Sequence, residues 1–289
     1  MVMVCWAGAG FALFGRQQQS ENATGLSSEP GRIVSMAPNL TEIVFALGLE
    51  EKIVGVAGGS DYPPAAVSKP KMGSFWQPNI EAVIAAKPDV VITLGFNQQR
   101  SLAQRLKRIG YNSLTVNIEK VSELFEAIGK IGEATGRGTQ ADELVRGIRG
   151  KLDSLSALVG AEKKIKVLWV VQREPLRVAG KDTFINEMVE LASGENAIGQ
   201  TVHKYPPIGA EQVYTCGAEV IIEPVMIEAD PAGQQAGALK YWSRFRNVGA
   251  VKNNRVYVID GDIVSRLGPR LYEGVEAIAR CLRPELFEN

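Results

Sequence analysis

The sequence has few of the residues that build metal sites and disulfides. It contains three cysteines, Cys5, Cys216 and Cys281, which lie far apart and form no C-x-x-C pair. A structural zinc site needs four closely spaced Cys or His ligands, so none is predicted. The one histidine, His203, is interpreted as an exposed loop residue rather than a metal ligand. Because a chain of 289 residues can bury a core without disulfides, cysteine usage leaves the compartment open.

The sequence also lacks the motifs of several enzyme classes and any excess of charge. It contains no G-x-S-x-G, no phosphate-binding glycine loop and no H-E-x-x-H. Asp61, Asp260 and Asp262 lie in turn-like sequence, where aspartate commonly bonds the local backbone, and they are interpreted as turn residues. The 32 basic and 32 acidic residues balance, so no broad patch attracts nucleic acid. We therefore predict a non-enzymatic protein that does not bind nucleic acid.

The N-terminal segment has the composition of an export signal. Residues 1–15 are almost entirely apolar or small, and the residues after them, up to residue 29, are polar. An apolar run followed by a flexible tether is typical of a secretory segment or a membrane anchor, although a basic start is missing here. Cys5 suggests lipidation, but Val4 before it is not the small residue usual next to a lipidated cysteine. We expect residues 1–29 to direct the protein out of the cytoplasm, to the periplasm or another extracytoplasmic location, and to be able to anchor it to the membrane there. The alternative is an aberrant, non-signal N-terminus.

Apolar strands alternate with helices along the rest of the chain, which predicts an α/β fold with mostly parallel sheets. Residues 30–138 and residues 162–289 each contain such a series, so we predict two α/β lobes. Residues 139–161 keep apolar side chains at three- and four-residue spacing over about six turns. This spacing predicts one long helix that joins the lobes rigidly. In the first lobe, Asn39 and Glu42 have the spacing of a capping box, which predicts that Asn39 caps the first helix.

One helix–strand unit occurs twice in the sequence. Residues 79–92 contain Asn79 as a helix cap, Glu81 in the first helical turn and then an apolar strand. Residues 209–222 repeat the glutamate, as Glu211, and the apolar strand at the same offsets. The repeat supports two related lobes. A glutamate at a helix start also complements the helix dipole, and this simpler interpretation of the pair stays open.

Aromatic rings lie in loops next to predicted strands of both lobes, and arginines accompany them. Ring surfaces at strand ends on facing lobes suit a cleft that binds a large flat ligand. Guanidinium groups there suit carboxylate, amide or phosphate groups. The alternatives are core packing for the rings and solvated surface charge for the arginines. The candidate ligand-binding residues are Phe75, Trp76, Phe96, Tyr205, Arg173 and Arg266, with Arg270 near the last.

Five short segments occur in the order found in one known family. They are residues 35–42, residues 60–63, Trp76 with residues 79–92, residues 194–196, and residues 261–270. Through them the chain resembles the periplasmic substrate-binding proteins of the ABC importers for cobalamin, haem and iron-siderophores. It is most similar to the cobalamin-binding members, in the class with a single helix between the lobes. The resemblance spans residues 32–284.

The resemblance implies a receptor that holds its ligand between two lobes and hands it to a membrane permease. The helix between the lobes implies limited hinge motion. In family members, a glutamate near the start of the repeated helix in each lobe docks on arginines of the dimeric permease, which works with its ATPase. Glu81 and Glu211 hold these positions here.

The resemblance also implies a ligand class. Trp76, Tyr205 and Arg266 fall where cobalamin-binding members contact their ligand, whereas some members have aromatic residues at the positions of Gly59 and Leu94. Cobalamin needs no protein ligand to its cobalt, which agrees with a chain that has one histidine. We therefore expect a bound cobalamin or related cobamide, no resident cofactor and no metal site.

Two other functions remain open on the sequence. A receptor for an iron-siderophore or haem has the same fold, and its ligand would usually call for more basic residues or for Tyr and His donors. An enzyme that processes a corrinoid or a metal chelate is a further alternative, because two-lobed α/β folds also carry catalysis. The repeated glutamates and the export segment favour a receptor, since an enzyme needs neither.

Overall fold

The computed structural model describes residues 29–160, 163–225 and 231–288. The predicted export segment, with Cys5, therefore lies outside the described residues apart from Glu29. Within the described ranges, no helix combines the length and the apolar character that a membrane span requires.

The first lobe is built on a four-stranded parallel sheet with the strand order β2-β1-β3-β4. Its strands are β1 (Ile33–Ser35), β2 (Ile53–Val56), β3 (Val90–Leu94) and β4 (Ser113–Val116). Its helices are α1 (Pro38–Ala46), α2 (Ile80–Ala85), α3 (Asn97–Arg108) and α4 (Val121–Thr135). Both faces of the central strand β3 are buried, which explains its continuous apolar sequence.

The predicted connecting helix is present as α5 (Gly138–Val159). It packs against α4 of the first lobe and against the last α-helix of the second lobe, α11 (Leu271–Leu282). Its buried apolar residues are Ala141, Ile148, Leu152, Leu155 and Val159. Gly147 and Gly150 are exposed and face open space, so they weaken the helix without leaving a gap in the core.

The second lobe repeats the parallel arrangement and adds one antiparallel strand. Its strands are β5 (Ile165–Arg173), β6 (Leu176–Val178), β7 (Gly194–Asn196), β8 (Val220–Pro224) and β9 (Val256–Ile259). Strand β5 pairs in parallel with β7 and β8, β8 pairs in parallel with β9, and β6 folds back antiparallel on the end of β5. The helices are α6 (Phe184–Leu191), α7 (Ala210–Thr215), α8 (Pro231–Trp242), α9 (Gly249–Lys252), α10 (Gly261–Ser265) and α11 (Leu271–Leu282).

The apolar side chains divide between three clusters, because successive strand residues point to opposite faces. In β3, Val90 and Ile92 enter one cluster and Val91 enters another. The cluster that contains Val90 also takes in α5 and residues of the second lobe such as Trp169, and we call it the shared core. Each lobe therefore has a separate cluster on its outer face only.

Two details differ from the sequence-based predictions. Helix α1 begins at Pro38, with Ala37 before it, so Asn39 is already inside the helix and Glu42 is not part of a capping box. Proline fits the first turn of a helix because the N–H groups of that turn have no intrahelical acceptor, so the helix loses no hydrogen bond when proline lacks an N–H. The short elements β6, β7 and α10 were not predicted.

Candidate ligand-binding cleft and docking residues

The carboxyl ends of the two sheets face each other, because the loops that follow their strands meet. Asn39, just after β1, donates from its side-chain amide to the carbonyl of Leu267 in the second lobe at 3.0 Å. Beyond β4, Glu119 accepts from Lys204 at 2.6 Å. Parallel sheets bind ligands at the carboxyl ends of their strands. The space between these loops is the candidate cleft.

Three of the predicted aromatic residues come together on the first lobe. Phe75 contacts Trp76 and Phe96 edge-on, with ring centroids 4.7 and 5.6 Å apart. Phe75 and Phe96 are half-buried and pack against the shared core, so they support the third ring. Trp76 is 64% exposed. An exposed indole that packs against a half-buried phenylalanine offers an apolar face for stacking.

The fourth aromatic residue, Tyr205, lies in the second lobe. It is half-buried against the shared core, and its burial raises the pKa of its hydroxyl above the ordinary value. Its neighbour Lys204 makes the contact with Glu119 of the first lobe. Tyr205 is therefore next to a point where the two lobes touch.

Arg173 ends β5, and its guanidinium is held by a buried carboxylate. Its Nε and Nη2 both donate to Oε2 of Glu223 in β8, at 2.9 and 2.6 Å. The other oxygen of Glu223 accepts from the indole N–H of Trp242 at 2.6 Å. Glu223 is 4% exposed. Arg173 and Glu223 line a pocket of about 470 Å³ at the carboxyl ends of β5 and β8.

Arg266 and Arg270 form one ionic network with three carboxylates, and the network joins the lobes. Arg266 donates to Asp61 of the first lobe at 2.5 Å and contacts Asp262 at 2.7 Å. Arg270 donates to both oxygens of Glu42 in α1, at 2.6 and 3.0 Å, and to Asp262 at 2.6 Å. Glu42 is 3% exposed and Arg270 is 8% exposed. The predicted arginine site is thus also a contact between the lobes.

The network shifts the pKa values of its members. The hydrogen bond from Arg266 lowers the pKa of Asp61 below its ordinary value. Burial opposes the charge on Arg270, but the hydrogen bonds to Glu42 and Asp262 outweigh it and raise the pKa of Arg270. Both arginines therefore stay charged, whereas burial raises the pKa of Glu42 above its ordinary value.

Two of the three aspartates interpreted as turn residues have another role. Asp61 pairs with Arg266 across the lobes, and Asp262 pairs with Arg266 and Arg270 of its own lobe. Asp260 does bond its local backbone: it accepts from the N–H of Asp262 at 2.8 Å and caps α10. The four-residue spacing of Asp262 and Arg266 was a signal for their pairing in the sequence.

The two repeated glutamates occupy matching positions in the fold. Glu81 is in the first turn of α2, before β3, and Glu211 is in the first turn of α7, before β8. Strand β3 lies next to β1 as β8 lies next to β5, so the repeat in sequence is a repeat in structure. Asn79 caps α2 as predicted, accepting from the N–H of Ala82 at 2.9 Å. Both glutamates are exposed, and neither carboxylate pairs with another of the described residues.

No cluster of metal-binding side chains stands out in the part of the chain that the structure describes. Across residues 29–160, 163–225 and 231–288, no three His, Cys, Asp or Glu side chains are grouped as metal ligands. His203 is exposed in the loop before Lys204, in agreement with its interpretation from the sequence.

Comparison with known proteins agrees with this geometry. A family described as periplasmic binding protein matches residues 33–263. YvrC, an uncharacterized ABC transporter substrate-binding lipoprotein of Bacillus subtilis, is 33% identical over 271 residues, which cover 91% of this chain and 83% of that protein. A vitamin B12-binding protein of Vibrio parahaemolyticus is 28% identical over 256 residues, with 86% and 89% covered. A solved structure from Staphylococcus epidermidis, described as a possible iron-binding periplasmic solute-binding protein, has a TM-score of 0.78 at 30% identity and covers 88% of this chain and 99% of its own. These matches show that the protein belongs to the periplasmic binding protein family of extracytoplasmic receptors.

Proposed function

We propose that the protein binds cobalamin or a related cobamide in the cleft and delivers it to an ABC permease. The observation that carries the proposal is the pairing of an exposed aromatic face with arginines that are already neutralised. A corrinoid is a large flat ring whose side chains end mainly in uncharged amides. The similarity to a vitamin B12-binding protein supports the same ligand class.

The charges of the cleft favour a ligand without several negative groups. Arg173 is paired with Glu223, and Arg266 and Arg270 share the carboxylates of Glu42, Asp61 and Asp262. An anionic ligand, such as haem with its two propionates, would compete with these carboxylates for the same guanidinium groups. Because a paired arginine still donates hydrogen bonds, it suits neutral carbonyl oxygens.

The ligand contacts in this proposal come from both lobes. The first lobe supplies the stacking surface, and the second supplies hydrogen-bond donors and one further ring. The proposed contact residues are Phe75, Trp76, Phe96, Arg173, Tyr205 and Arg266.

A receptor for haem or an iron chelate is the second candidate. The observation in its favour is the similarity to the Staphylococcus epidermidis protein that is described as possibly iron-binding. The two candidates differ in the ligand that they predict to bind, so a direct binding measurement separates them.

We expect the purified protein to bind cyanocobalamin with a Kd of about 1 μM or lower. Calorimetry and visible spectra with cyanocobalamin, haemin and a ferric hydroxamate measure this directly. Trp76→Ala should weaken cyanocobalamin binding about tenfold, because it removes the exposed stacking ring. Tyr214→Ala, which removes an exposed ring of α7, is the control and should bind as the parent does. Binding of the ferric hydroxamate or haemin without cyanocobalamin would move the function to the second candidate.

The lobes should move little when the ligand binds. Helix α5 packs on both lobes, and the shared core continues across them, so closure would have to break buried contacts. Small-angle X-ray scattering with and without cyanocobalamin should give the same radius of gyration within error. A clear contraction on binding would contradict a rigid connection.

The proposed partner is a dimeric permease with its ATPase, and the proposed docking residues are Glu81 and Glu211. Their support is the matching position in each lobe together with their exposure.

We also propose that the N-terminal segment anchors the receptor at the membrane. The lipoprotein name of the Bacillus subtilis relative supports this anchor.

A further inference from the structure

The pocket between β5 and β8 has a specific chemical character. Its apolar lining consists of Val170, Val171 and Pro224, and its polar lining consists of Gln172, Arg173, Glu223 and Gln234. The carboxylate of Glu223 accepts two hydrogen bonds from the guanidinium of Arg173. The pocket opens at the carboxyl ends of these strands, where the candidate cleft lies.

Hydrogen bonds hold both the guanidinium and the main chain of Arg173. In addition to the two bonds to Glu223, Nη2 donates to the carbonyl of Gln234 in α8 at 3.3 Å. The hydroxyl of Tyr241 donates to the main-chain carbonyl of Arg173 at 3.0 Å. The remaining nitrogen, Nη1, lies beside Gly237, where a side-chain Cβ would come within 3.2 Å of it. Nη1 has no hydrogen bond to any of the described residues, so it is the group that a ligand can use.

Glu223 determines which kind of acceptor group the N–H donors of Nη1 bind. The pair of Arg173 and Glu223 has no net charge, yet Nη1 keeps its N–H donors. A neutral carbonyl oxygen gains a hydrogen bond there without any repulsion. A carboxylate would add a second negative charge within about 6 Å of Glu223, and the two would share one guanidinium.

We propose that this pocket binds a neutral primary amide side chain of the ligand, and that Glu223 is the positioning residue that excludes the corresponding carboxylate. The proposal rests on the proposed function, because it assigns one group of a corrinoid to one part of the cleft. It goes further by stating how the protein distinguishes an amide from its hydrolysis product. Glu223 acts through its ion pair with Arg173.

The test uses cyanocobalamin and its three monocarboxylates, each with one propionamide hydrolysed to a propionate. The full-length parent should bind at least one monocarboxylate about tenfold more weakly than cyanocobalamin. In Glu223→Gln, the charge of Arg173 is no longer balanced, so the ratio of the two Kd values for that monocarboxylate should fall to about one or reverse. Tyr214→Ala keeps both charges and changes a residue outside the lining of this pocket, so it should preserve the ratio of the parent.

The outcomes distinguish a failure of the proposed corrinoid receptor function from a failure of the amide assignment alone. If the parent binds no corrinoid, the proposed function fails and this assignment fails with it. If the parent binds all four corrinoids equally, or if Glu223→Gln keeps the parent's ratio, the assignment is wrong and the corrinoid receptor stands. Should Glu223→Gln not fold, the double variant Arg173→Gln/Glu223→Gln removes both charges together and should bind the amide and the carboxylate about equally. Retention of the tenfold ratio in the double variant would overturn the assignment as well.

Discussion

Replacing Glu81 and Glu211 together by alanine should reduce transport sharply and leave ligand binding unchanged. Both carboxylates are exposed, and each stands in the first turn of a short helix at the same position of its lobe. In the proposed docking, each close pair with a permease arginine would contribute about 1.5 kcal/mol or more, so losing two pairs should weaken docking about 100-fold. Ligand-stimulated ATPase activity of the reconstituted permease measures the effect.

The matched control for this experiment is the double variant Glu50→Ala/Glu285→Ala. These two glutamates are also exposed, lie in the first turn of short 3₁₀ helices, and belong to different lobes. The control should stimulate the ATPase as the parent does. If the double variant at Glu81 and Glu211 also stimulates normally while it binds ligand, the docking assignment is wrong and these residues only complement their helix starts.

Replacing Arg270 by methionine should destabilise the protein more than any surface substitution. The change leaves Glu42, which is 3% exposed, as an unpaired buried carboxylate. Removing one partner of a buried ion pair costs about 3–5 kcal/mol. For a chain of this size the loss corresponds to a Tm about 10 °C lower, which thermal unfolding followed by circular dichroism will measure.

Two further variants test whether the burial of the Glu42–Arg270 pair causes the expected loss of stability. Arg280→Met removes an exposed pair with Glu276 from the same helix, and it should cost about 0.5 kcal/mol or less. The double variant Glu42→Leu/Arg270→Met replaces the buried pair by apolar side chains and should recover most of the lost stability. A Tm for Arg270→Met equal to that of Arg280→Met would contradict the role of the pair.

The sequence was sufficient for features that depend on neighbouring residues. The periodicity of apolar residues located the main strands and the connecting helix, and Asn79 was identified as a cap because its partner is three residues away. The aromatic cluster could be expected, since Phe75 and Trp76 are adjacent in sequence.

Features that depend on distant residues could not be predicted. Glu42 and Arg270 are separated by 228 positions, and Asp61 and Arg266 by 205. No local pattern relates such pairs, so Glu42 was assigned to a capping box and Asp61 to a turn. The three-residue strands β6 and β7 are too short to show a period.

The shared core has a consequence for how the chain folds. A domain that can fold alone has its own core, and few contacts cross its boundary. Here Val90 of the first lobe, Leu152 of α5 and Trp169 of the second lobe belong to one continuous apolar cluster. Either half alone would expose the apolar surface that the other covers. The two lobes are therefore one cooperative unit, and cutting the chain within α5 would give two aggregation-prone fragments rather than two small proteins.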